Sequence, residues 1–160
     1  MTTKTFIPLL LMLLLGVTMA RGQSGLAVQE AFRRYAVRSD VTEVVIEGNR
    51  LKPYRLSRFH SIEVGDASHG EAEYIASLIR RDTVGCVSHE GALQAPPAAS
   101  DIHSGRVQAP PAASACFELP RRRSLHRYIF YRSSAGKVLL IYIEGRADMT
   151  DLKRFFKKDK

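Results

Sequence analysis

The chain has no tryptophan and two cysteines, Cys86 and Cys116. That excludes a disulfide-dense mini-scaffold and any zinc site built on four thiols. There is no G-x-S-x-G elbow, no H-E-x-x-H pair and no glycine-rich phosphate loop. Acidic residues are the minority, 16 against 24 lysines and arginines, for a formal charge of +8. Long apolar runs are missing too. The longest, Phe6–Leu15, is interrupted by Pro8 and falls short of the about 20 residues that a spanning helix needs.

That run has a different use. Lys4 precedes it, and Thr18 and Ala20 supply small residues at the minus-three and minus-one positions of a cleavage site. This is the layout of a secretory signal peptide over residues 1–20, cut after Ala20 or alternatively after Gly22. Secreted or periplasmic localisation follows as an expectation, with no transmembrane segment after cleavage. The remaining chain, residues 21–160, is about 140 residues, one ordinary domain able to bury a core without staples. It keeps a charge of about +7, because only Lys4 is removed.

Ser24 is a candidate cap for a helix over Leu26–Val37, with Val28, Phe32 and Tyr35 at helical spacing. VTEVVIEG, rich in β-branched residues, reads as a strand that ends at Gly48-Asn49. Arg55–Val64 reads as a second strand with His60, Ile62 and Val64 on one face. Glu71–Arg81 reads as a helix with an apolar stripe of Ala72, Ile75, Ala76 and Ile79. Leu125–Arg132 and Lys137–Gly145 are the two strongest strands, joined by a short hairpin at Ser133–Gly136. Asp148, with Asp151 three residues on, caps a final helix lined by Met149, Leu152 and Phe156. Strands joined by short turns and helices with one apolar face imply an α+β domain. Its expected form is an antiparallel sheet of about four strands with amphipathic helices packed on it.

Between these elements lies a proline-rich region, roughly residues 85–120. QAPPAAS occurs at Gln94–Ser100 and again at Gln108–Ser114. The copied unit is longer: Val87–Ser100 and Asp101–Ser114 agree at nine of fourteen positions. Residues 87–114 are thus a tandem duplication, expected to form an extended or flexible Pro/Ala-rich surface arm. Two copies are too few to stack as a solenoid.

A leader followed by QSGLAVQEAFRRYA, VTEVVIEG, RYIFYR and KVLLIYIEGRADMTDLKRFF resembles a domain-of-unknown-function family. Its members are small secreted proteins of Gram-negative, Bacteroidota-type bacteria. The likeness covers most of the chain outside the proline-rich arm, and its most specific part is IYIEG…DLKRFF. The resemblance implies fold and location and transfers no active site.

Several residues invite a chemical reading. Cys86 and Cys116 flank the duplication and could form a disulfide in an oxidising compartment. Cys86, His89, His103 and Cys116 could be grouped as a zinc set, but His89 and His103 are equivalent positions of the copied unit, so the pair needs no metal to explain it. His69 beside Asp66 and Glu71 reads as a turn histidine. No cofactor and no metal are expected. Ser68-His69 and Ser88-His89 are adjacent pairs, and adjacency does not align a nucleophile with its base. Asp82-Thr83-Val84 resembles a short bacterial O-glycosylation acceptor, which makes Thr83 a candidate modification site. The basic residues cluster at Arg121, Arg122 and Arg123 and at Lys153, Arg154, Lys157 and Lys158, candidate contacts to an anionic lipid or glycan surface. Nucleic acid is the least favoured partner.

The expectation is therefore a non-enzymatic, envelope-associated binding or structural domain. The alternatives are a binder of anionic lipid or glycan surfaces through the basic clusters, and an enzyme of unrecognised type with a pocket lined by His60, His126 or Glu144.

Overall fold

In the computed structural model, which describes residues 25–90 and 112–157, the chain runs α1 (Val28–Tyr35), β1 (Val41–Glu47), a 3-10 helix (Gly48–Tyr54), β2 (Leu56–Val64), α2 (His69–Asp82), β3 (Val87–Glu90), β4 (Ala113–Arg122), β5 (Leu125–Ser134), β6 (Lys137–Gly145) and α3 (Met149–Lys157). The strands form one sheet in the order β1-β2-β6-β5-β4-β3, and every pairing is antiparallel. The α+β class read from the sequence is the one observed.

The sheet has six strands rather than about four. One extra strand, β3, lies within the expected surface arm of residues 87–114, and the other, β4, starts at its end. Ala115, Phe117 and Leu119 are buried in the helix-covered core, while Cys116 and Glu118 alternate with them on the other face. This period of two marks a strand. Alanines and Pro120 obscure it, and Pro120 is tolerated because the ladder slips between Leu119 and Arg122. The first four residues of the duplication, Val87–Glu90, form the edge strand β3, and its last two, Ala113 and Ser114, open β4. The rest of the duplication, like residues 1–20, where a signal peptide was expected, lies outside the described residues.

β6 is central, between β2 and β5, which suits its apolar run. The two tight hairpins have two-residue loops, Arg123-Ser124 and Ala135-Gly136, with positive φ at each loop residue. That is the turn geometry matched to the right-handed twist of a two-stranded ribbon.

The two faces of the sheet are covered unequally. One face carries the larger core. Ile62, Val64, Phe117, Ile129, Leu140 and Tyr142 meet α1 through Val28, Ala31, Phe32 and Tyr35, and α2 through Ala72, Ile75, Ala76 and Ile79. The stripe read on α2 is buried as expected, and Leu78 is buried with it. A capping box starts α2: Ser68 Oγ accepts from Glu71 N, and the Glu71 carboxylate accepts from Ser68 N at 2.9 Å. α1 is capped differently from expectation. Ser24 lies outside the described residues, and the first amides, of Ala27 and Val28, donate to the Asp82 carboxylate at 2.7 and 2.8 Å. The end of α2 thus holds the start of α1, and the two helices cover the face as a pair.

Among the described residues, the helix that packs on the other face is α3. Leu152 packs with Tyr128, Ile143 and Ala147, and Phe155 meets Tyr54 of the 3-10 helix edge-on at 5.3 Å. Asp148 caps α3 as the sequence suggests, accepting from Asp151 N at 2.9 Å. α3 has nine residues and lies over one end of the sheet only. No helix among the described residues is long and apolar enough to cross a membrane.

Candidate functional site

Because α3 covers only one end, the rest of this second face is left open by the described residues. A concavity of about 580 Å³ forms there. Its floor is apolar and comes from three adjacent strands: Cys116 on β4, Phe130 on β5, and Leu139 and Ile141 on β6. Cys116 sits opposite Phe130, and Phe130 opposite Ile141, so the floor follows directly from the register. Met149 of α3 walls one side, and His89 and Ser114 border the other. Two exposed cations, Arg132 and Lys153, complete the rim, and among the described residues no aspartate or glutamate lines the concavity. A second, smaller concavity of about 340 Å³ shares Arg132 and Leu139 and continues toward Lys137, which pairs with Glu63 at 3.6 Å. The open face is therefore an apolar trough with Arg132 and Lys153 at its rim, adjoining a polar concavity at Glu63, Ser134 and Lys137.

A polar cluster stands beside the trough. Glu118 on β4 accepts from His89 Nε2 on β3 at 3.1 Å and from His126 Nδ1 on β5 at 2.9 Å. The Tyr128 hydroxyl lies 3.2 Å from the same His126 nitrogen, and the two rings stack with centroids 6.0 Å apart. Burial pushes the Glu118 carboxyl up, but the hydrogen bonds from His126 and His89 outweigh it and hold it below the ordinary carboxylate range. Burial, reinforced by the Glu118 charge, pushes the Tyr128 hydroxyl up to about 12. Tyr128 is thus a neutral donor near neutral pH, and Glu118 an anion fully engaged by two imidazoles. Their bonds tie together three strands of the sheet.

The structure separates most of the residues that the sequence grouped. His60 lies on the helix-covered face, stacked on Phe32 at 3.8 Å and bonded to Glu43 at 2.7 Å. Glu144 is on that face as well, accepting from the Tyr142 hydroxyl at 2.8 Å. His126 is on the open face, so these three do not line one pocket. Cys86 packs against the helix-covered core and donates to Asp82 O at 3.7 Å, whereas Cys116 is buried in the floor of the trough. The structure carries both as thiols, on opposite faces of the sheet. Burial raises the Cys86 thiol above its usual value, against the nearby Arg127 charge. Cys86 and His89 are split the same way, and His103 lies outside the described residues. Among the described residues, no group of three or more His, Cys, Asp or Glu is placed to hold a metal ion. His69 opens α2. Thr83 follows the last turn of α2, where its hydroxyl donates to Ile79 O at 2.9 Å.

The basic clusters are better placed than the histidines. Arg121, Arg122 and Arg123 are exposed at the β4–β5 turn, and Arg121 is close enough to Tyr128 to oppose the rise of its hydroxyl. Lys153 and Arg154 are exposed on α3. The side chain of Lys157 and all of Lys158 lie outside the described residues. The trough itself was not singled out from the sequence. The one available signal was the unbroken apolar run of β6, whose odd-numbered residues face away from α1 and α2 and have only a short helix to cover them.

Residues 15–156 match the family described as "Family of unknown function (DUF6108)". No curated protein and no solved structure matches the chain.

Proposed function

The chain belongs to DUF6108, a family whose description names no activity, and from its geometry we propose a non-enzymatic, envelope-associated binding domain whose ligand face is the open half of the sheet. One observation carries this reading. α1 and α2 cover one face, while the other keeps an apolar concavity of about 580 Å³. That volume lies within the roughly 300–1,000 Å³ of small-molecule sites. The leader pattern over residues 1–20 supports export to the periplasm or beyond. The test is competition for an apolar fluorescent probe by organic and aqueous extracts of the cell envelope. A fraction that displaces the probe from the wild type but not from Ile141→Arg supports the reading. No displacement by any fraction, or turnover of an envelope component, overturns it.

A second reading is contact with an anionic lipid or glycan surface. It is favoured by the exposed Arg121–Arg123 turn and by Lys153 and Arg154 on α3. Such contact is made by exposed charges and weakens steeply with salt. Binding to anionic vesicles that is unchanged between low and high salt contradicts it.

A further inference from the structure

We propose that the trough binds a monomeric long-chain carboxylate, with the chain on the Phe130–Ile141 floor and the carboxylate at Arg132 or Lys153. This rests on the reading of the open face as a ligand site and names its ligand class.

Three features of the trough narrow the chemistry. Its shape is an apolar floor with one polar end: the larger concavity and the smaller one share Leu139 and Arg132, and Glu63, Ser134, Ala135 and Lys137 line the rest of the smaller one. The floor side chains are Cys116, Phe130, Leu139 and Ile141, which offer no strong hydrogen-bonding partner along the path. A glycan would lose its water hydrogen bonds there without replacement. The charge is one-sided. Arg132 and Lys153 are exposed at the rim, neither forms an ion pair among the described residues, and among those residues no carboxylate lines the larger concavity, while Glu63 at the smaller one pairs with Lys137. Glu118, on the neighbouring strand, is already engaged by His89 and His126. The site is therefore complementary to an anion. Arg132 and Lys153 stand on separate elements, β5 and α3, and each matches a single negative charge.

The experiment is a calorimetric titration of the purified protein with straight-chain alkanoates of increasing length, each below its micelle concentration. Matched primary alcohols and anionic vesicles are run alongside. Affinity is expected to rise about fourfold per added methylene until the trough is filled. The alcohols are expected to bind about tenfold more weakly than the acids, a difference of the size of one charge-assisted hydrogen bond. The double variant Arg132→Gln and Lys153→Gln lowers alkanoate affinity toward that of the alcohols, while Arg33→Gln on the opposite helix leaves it unchanged. Both rim residues are exposed, so these variants keep the fold, which circular dichroism checks.

Equal binding of acids and alcohols, or no effect of the rim variants, overturns the proposal. So does binding to vesicles without binding to monomers, or a stable dimer that alkanoates leave intact. If alkanoates fail while another envelope fraction still displaces the apolar probe, the ligand class is wrong and the open-face site stands. If nothing displaces the probe, both fall.

Discussion

Gly145 lies so close to the backbone of Arg55 that a Cβ added to it would stand 2.6 Å from the Arg55 carbonyl oxygen and 2.6 Å from the Cα of Leu56. The same carbonyl accepts from the amides of Arg146 and Ala147 at 2.7 and 3.1 Å, and the Arg55 guanidinium reaches Asp151 of α3 at 2.7 Å. This junction closes the end of β6 and fixes where α3 leaves the sheet. It also explains the glycine in IYIEG, the most specific part of the resemblance read from the sequence. Gly145→Ala must push two backbone segments apart and is expected to destabilise the protein by about 3 kcal/mol, at the upper end of overpacking costs. Urea denaturation measures it, and a change under about 0.5 kcal/mol, the range of neutral surface changes, contradicts the packing described.

The caps of the helix-covered face make a second prediction. Asp82 satisfies the first two amides of α1, and Ser68 opens α2 with a reciprocal capping box that Arg38 supports by pairing with Glu71. Asp82→Ala and Ser68→Ala are each expected to cost about 1 kcal/mol. Asp82→Ala also loosens α1 from α2, so hydrogen exchange in Val28–Tyr35 should rise more than elsewhere. Unchanged protection of α1 contradicts the role given to Asp82.

Glu118 predicts part of the acid response. Its folded carboxyl is held below its ordinary value, so its contribution to stability is fully present above the unfolded value of about 4.3 and is lost as pH falls through the lower folded value. Glu118→Gln removes that dependence. The fall in urea midpoint below about pH 4.3 should be shallower in the variant than in the wild type. Identical slopes contradict the assignment.

The thiols give a simple chemical check. Cys86 and Cys116 face opposite sides of the sheet, so the protein unfolded without reductant is expected to take up two alkylating groups. In the native state Cys116, 1% exposed, should be protected, and Cys86, its thiol raised by burial, should react slowly. An intact mass lower by two hydrogens, with no alkylation before reduction, contradicts this placement.

Much of the fold was legible because its signals are local. The β-branched run of β1, the stripe of α2, the apolar run of β6 and the Asp148 cap of α3 each depend on residues a few positions apart. β3 and β4 were not legible as a pair, because the duplication inserts residues between them and its alanines and prolines dominate the composition. Yet Phe117 and Leu119 already carried the alternation of a strand. The site was hidden for a different reason. Its floor joins Cys116, Phe130 and Ile141 across three strands, and it exists only because α3 is short. Neither the strand order nor the helix's reach is written in any one segment.

The most direct test of the open-face site is an amide chemical-shift map of the protein titrated with decanoate. The account predicts perturbations at Cys116, Phe130, Arg132, Leu139, Ile141 and Lys153, with α1 and α2 unmoved. Perturbations centred on α1 and α2, or none at saturating decanoate, would contradict it.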